Sequence, residues 1–181
     1  DYFSTRLTER QLILGDTHGA LRELLTAIAK ERAPEAVIVL GTCPVEVISD
    51  AFEPVVAEVS TQTGVPMVAL RTHGLTLMRL VDCQDWLYAA LAGLGSVTAE
   101  AGVNLVGLPP GDESREVEAV LASVGVEVNG LYPAQSALNA WTQIGRAAST
   151  VVVDRSMFPR LSDLLVARGQ AVHEVPLPIG L

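Results

Sequence analysis

AVIVLGTCPVEVISD, residues 36–50, is the stretch around which the rest of the chain is organised. Residues 36–40 are an apolar run with the length and β-branched content of a buried parallel strand. The run breaks at Gly41-Thr42 and gives way to Cys43-Pro44, with Glu46 and Asp50 following at helical spacing. Thr42 or Cys43 falls near an N-cap and Pro44 in the first turn, where a missing N–H costs little. A cysteine is thereby presented at the C-terminal edge of a sheet and at a helix N-terminus, where partial positive charge favours a thiolate. Open α/β sheets place their chemistry at that edge.

Working outward, Leu21, Leu24, Leu25 and Ile28 recur at i, i+3, i+4 and i+7, which predicts an amphipathic helix over 17–32 with Asp16 as N-cap and Pro34 as stop. Residues 1–15 read as a mixed N-terminal segment. After the cysteine elbow a helix is expected over 44–63, interrupted at Pro54 and ended by Gly64. Then come a buried strand over 66–71, the polar turn Thr72-His73-Gly74 and a short helix over 84–94. Residues 95–102 are small and aperiodic and mark the boundary expected between two units. Beyond it the pattern starts afresh, with strands at 103–108, 126–131, 150–154 and 171–175 and helical segments at 112–123, 137–147 and 157–168. Alternation of this kind implies parallel sheets with right-handed crossovers. The expected architecture is α/β: two Rossmann-like parallel units, residues 1–95 carrying the cysteine elbow and N-terminally incomplete, and residues 96–181. Val37 to Leu40 should be a buried central strand.

At 181 residues the chain can bury a core without staples. A formal charge of −9 argues against an electrostatic nucleic-acid footprint. No stretch of 18 apolar residues and no basic-then-apolar leader is visible, so the expectation is a soluble, cytoplasmic protein without a membrane span. The two cysteines, Cys43 and Cys83, form neither a CxxC motif nor a disulfide framework.

Each motif has an ordinary reading beside the functional one. Gly15-Asp16-Thr17-His18-Gly19 looks like the first metal motif of calcineurin-like phosphoesterases. The other histidines, His73 and His173, supply no Asn-His element, and a helix N-cap beside an exposed His explains the same residues. Gly93-Leu94-Gly95 follows a helix rather than a strand and fails the dinucleotide-loop context. No phosphate loop and no GxSxG elbow occurs. Cys83, beside Trp86 and Leu87, reads as packing. Glu46 and Asp50 read as a solvated helix face, and His73 either lines a crevice or caps a turn. Cys43 is either a small buried residue at a strand end or a thiol facing a crevice.

Gly41-Thr42-Cys43-x-x-Glu46-x-Ile48, Gly64-x-Pro66 and Arg71-x-x-Gly74-Leu75 together resemble the catalytic-component superfamily of nitrogenases and nitrogenase-like reductases. Within it they are most similar to the N-subunit family of light-independent (dark-operative) protochlorophyllide reductases. Val103-Asn104-Leu105-Val106-Gly107, Gly125-Val126-x-Val128 and Pro176-Leu177-Pro178-Ile179-Gly180 extend the likeness along the second half.

The resemblance implies that Cys43 is one thiolate ligand of a 4Fe–4S cluster shared with a homologous component 1 subunit in a heterotetramer, with Gly41 and Thr42 beside it. It implies further cluster cysteines before the first residue and a third Rossmann-like domain after the last, so that the chain is the middle of a larger subunit. An ATP-dependent iron–sulfur reductase would deliver electrons, and the substrate would be a tetrapyrrole with a reducible ring double bond. The rivals are a nitrogenase component or cofactor-assembly scaffold, which the Arg71-x-x-Gly74-Leu75 turn disfavours, and a non-catalytic Rossmann-like binding module with Cys43 merely buried.

Overall fold

The computed structural model describes residues 1–15, 17–47, 51–72, 80–133 and 137–176. Two units are resolved, Asp1–Met78 and Arg79–Leu181.

In the first unit, α1 (Glu9–Leu14) forms where the sequence reading expected only a mixed segment. Its cause is a capping box: the Gln11 amide donates to Thr8 Oγ1 and the Thr8 amide donates to Gln11 Oε1, at 3.3 and 2.9 Å. Helix α2 (Thr17–Arg32) follows the predicted periodicity and buries Leu21, Leu25, Ile28 and Ala29. Strand β1 (Val37–Gly41) leads into α3 (Cys43–Val47), and α4 (Glu53–Thr63) leads into β2 (Met67–Arg71). Gly64 ends α4 in the left-handed conformation that glycine reaches without a Cβ penalty, at φ +72°.

Strands β1 and β2 pair in parallel from Val37↔Met67 to Gly41↔Arg71. Val37, Val39 and Ala69 pack on a core of Leu21, Leu25, Phe52, Val55, Val56 and Val59 contributed by α2 and α4. Side chains alternate across a strand, so Ile38 and Leu40 point to the opposite face and are 43% and 52% exposed. The expectation of a buried central strand is therefore corrected: among the described residues β1 pairs only with β2, and the helices cover one of its faces.

The second unit holds α5 (Leu80–Gly93), β3 (Val103–Val106), α6 (Asp112–Ser123), β4 (Val128–Tyr132), α7 (Leu138–Thr142), β5 (Ser149–Val153), α8 (Pro159–Ala167) and β6 (Ala171–Val175). The four strands are all parallel in the order β4-β3-β5-β6. This is a doubly wound arrangement, with its switch point between β3 and β5. One face is packed by Leu91, Val106, Tyr132, Trp141, Ile144, Val152, Phe158, Leu161 and Leu165, and the other by Leu105, Leu108 and Val153.

Helix α5 belongs with this second sheet, so the units divide before α5, whereas the sequence reading divided them after it at 95/96. The physical reason lies in two charged side chains, one buried and one at the surface. The Asp85 carboxylate, 1% exposed, accepts from the Arg160 and Leu161 amides at the start of α8, at 2.9 and 3.0 Å. The Arg168 guanidinium, just beyond α8, donates to the Ala92, Gly93 and Gly95 carbonyls at 3.2, 2.8 and 2.9 Å. Each helix thus caps an end of the other. Within 95–102, Gly95 marks close packing rather than loose chain: a Cβ there would stand 1.9 Å from the Thr142 carbonyl oxygen.

Polar groups inside the second unit form a closed network. Asn104, fully buried, donates through Nδ2 to the Ile144 carbonyl and Thr150 Oγ1 at 2.7 and 3.0 Å. Thr150 donates to Gln170 Oε1, and Gln170 Nε2 donates to the Ile144 and Ala147 carbonyls. Asn129, the extra residue where the β3–β4 register shifts, donates to Asn104 Oδ1 at 2.8 Å. Removing Asn104 takes one hydrogen bond each from the buried Ile144 carbonyl and Thr150 hydroxyl, which keep only Gln170 as a partner, and leaves a void in the core. Asn104→Ala is expected to cost about 2–3 kcal/mol of unfolding free energy, read as a shift in urea midpoint at unchanged slope.

Candidate functional site at the edge of the first sheet

Strand β1 ends at Gly41, and the chain turns into α3 with Cys43 as its first helical residue. Gly41 is buried, while Thr42 and Cys43 are exposed. The cysteine therefore stands at the C-terminal edge of a parallel pair. The Thr72 amide and hydroxyl both donate to the Gly41 carbonyl, at 2.9 and 3.2 Å, and tie the end of β1 to the end of β2. The Val45 amide donates to the Thr42 carbonyl at 3.0 Å and closes the first turn.

Beside this elbow lies a cluster that sequence reasoning missed. Arg71 forms a two-point contact with Glu53, Nε to Oε1 and Nη2 to Oε2, the second at 2.9 Å. The guanidinium carbon also lies 5.4 Å from the centroid of the Phe52 ring, which is 4% exposed. The signal available in the sequence was an arginine closing an otherwise apolar strand, which needs an acid. Its partner, 18 residues earlier, is not readable from spacing.

The hydrogen bond from Arg71 holds the Glu53 carboxyl below its usual range, against a smaller opposing effect of burial. A carboxyl whose folded-state pKa is depressed contributes stability above its unfolded-state value, and that contribution is lost as pH falls through the lower folded-state value. Glu53→Gln should therefore lower the urea midpoint only slightly at neutral pH, a loss of less than about 0.5 kcal/mol, since the pair is partly exposed. The gap to the parent should close as pH drops below the ordinary carboxylate range; a gap independent of pH would refute the assignment.

The other predicted residues lie on other elements. Cys83 lies half-buried on α5 of the second unit, and His173 is exposed on β6. His18 is half-buried in α2, and the residues before it, Leu12 to Leu14, are helical, which removes the strand context that a phosphoesterase motif requires. Asp16, Asp50, His73, Gly74 and Leu75, with the side chains of Pro44 and Glu46, lie outside the described residues. Among the described residues no group of three or more His, Cys, Asp or Glu side chains could hold a metal ion. The described residues include two cysteines, Cys43 and Cys83, and by themselves do not supply the four ligands that a four-iron centre takes. No helix among the described residues is long and apolar enough to cross a membrane.

The family model described as nitrogenase component 1 type oxidoreductase matches residues 1–181. Subunit N of light-independent protochlorophyllide reductase from Angiopteris evecta is 36% identical over 58 residues, which is 32% of this chain and 13% of that protein. The same subunit from Synechococcus elongatus is 29% identical over 75 residues, 41% of this chain and 16% of that protein. These matches take in only a small part of the length of the curated relatives. A solved structure of nitrogenase Cp1 at pH 5 superposes with a TM-score of 0.70 at 21% identity, covering 90% of this chain and 34% of that one.

Proposed function

The chain belongs to the nitrogenase component 1 type oxidoreductase family, and from that premise we propose that it is part of a subunit of an iron–sulfur-dependent, nitrogenase-like reductase acting on a tetrapyrrole ring double bond. The observation that carries the reading is the exposed Cys43 thiol where β1 gives way to α3, at the edge where parallel sheets hold their chemistry. The local likeness to N subunits of light-independent protochlorophyllide reductase supports the tetrapyrrole class over dinitrogen.

In this reading Cys43 gives one thiolate to a 4Fe–4S cluster, with Gly41 and Thr42 forming the turn that presents it. The other ligands come from polypeptide beyond the described residues and from a homologous component 1 subunit in a heterotetramer. A cluster held there would supply one-electron chemistry, with an ATP-dependent iron–sulfur reductase as the electron donor. The share of the present residues is to place the thiol at the sheet edge and to fix its direction.

Anaerobic purification of the full-length subunit with its partner tests the proposal. A brown complex containing iron and acid-labile sulfide is the expected result. A colourless one would overturn it in favour of a binding module in which Cys43 holds no metal.

A further inference from the structure

Helix α3 has only five residues, too few to hold its own geometry in water. The direction in which Cys43 leaves the sheet must therefore be set by tertiary contacts. Those contacts converge on Gly41. From β2, Thr72 gives both its amide and its hydroxyl to the Gly41 carbonyl. From the start of α4, the Phe52 ring lies against Gly41, where an added Cβ would stand 2.5 Å from Cε1 and 2.7 Å from Cζ. Arg71, the register partner of Gly41, packs on that ring and is gripped by Glu53.

We infer that Phe52, Glu53, Arg71 and Thr72 are positioning residues for Cys43, a clamp that fixes the Gly41-Thr42 backbone and hence the line along which the thiol points. In this assignment Gly41 serves to make room for the Phe52 ring, not for the approach of a cofactor. Magnitudes separate this from plain stabilisation. The Arg71 and Glu53 side chains are 28% and 41% exposed, and ion pairs of such exposure add little to global stability. What a two-point guanidinium–carboxylate contact does supply is geometry. The assignment rests on the proposed function only for what the thiol does, not for how it is held.

The test uses Glu53→Gln and Arg71→Lys in the full-length subunit assembled with its partner, read by amide hydrogen exchange and by the reduced-state EPR spectrum. The expected result is a loss of protection of about tenfold or more at the Thr72 and Val45 amides, whose acceptors are Gly41 and Thr42. The Val59 amide of α4 should change by less than about twofold, since global opening is little affected. An altered EPR line shape at retained iron content should accompany it. Should protection at Thr72 and Val45 change no more than at Val59 in both variants, the clamp is overturned. Local loss with an unaltered EPR spectrum would leave the clamp standing and remove the cluster reading of Cys43. If one variant fails to assemble, the other carries the comparison.

Discussion

In the full-length complex, Cys43→Ser should lose most of its iron or convert its cluster, while Cys83→Ser keeps iron content and reduced-state EPR unchanged. Serine offers a harder oxygen donor, a poor substitute for thiolate on iron. The contrast follows from placement. Cys43 is the exposed first residue of α3 at the sheet edge, whereas Cys83 is half-buried on α5 of the other unit. Removing the Cys83 sulfur should cost at most some packing stability. Equal iron content and equal spectra in the two variants would strip Cys43 of its proposed role, and with it most of the case for a reductase.

The largest effect on stability should come from Asp85→Ala. Its carboxylate is the acceptor for two amides at the start of α8, in a site that is nearly inaccessible to water. Burial pushes the carboxyl pKa upward, and the two amide hydrogen bonds oppose that shift. Truncation leaves the buried Leu161 amide and the part-buried Arg160 amide without their acceptor. A lost cap together with a desolvated amide amounts to about 3 kcal/mol, or a fall of about 15 °C in the melting temperature of this unit. Asp85→Asn keeps one oxygen acceptor and should cost about 1 kcal/mol. A neutral effect of Asp85→Ala in thermal melts would mean that water replaces the carboxylate.

Much of this architecture was legible in the sequence. The 3.6-residue spacing of Leu21, Leu25 and Ile28 defined α2, and the β-branched runs located each strand among the described residues to within a few positions. Gly64, Gly125 and Gly169 marked helix ends because each adopts a positive φ that other residues avoid. What escaped were features made by contacts distant in sequence. The exposure of Ile38 and Leu40 depends on which face α2 and α4 cover, and an apolar run cannot report that. The allegiance of α5 depends on Asp85 and Arg168 meeting groups more than seventy residues away. The small residues at 95–102 looked like a boundary between units because glycine marks both loose chain and tight packing. At the candidate site, the thiol at the sheet edge followed from Gly-Thr-Cys-Pro alone, while Phe52 and Glu53 came to Gly41 through tertiary packing.

The mutual capping of α5 and α8 also has a mechanical meaning. Asp85 pins the beginning of α8, and Arg168 pins the end of α5, so the two helices are bolted together near both extremities. One turn of an α-helix advances about 5.4 Å, far more than any of these hydrogen bonds can stretch. Neither helix can slide past the other without breaking both sets of bonds together. Cys83, two residues before Asp85, therefore travels only with the whole second unit, and no ratcheting of α5 alone can deliver its sulfur to another place.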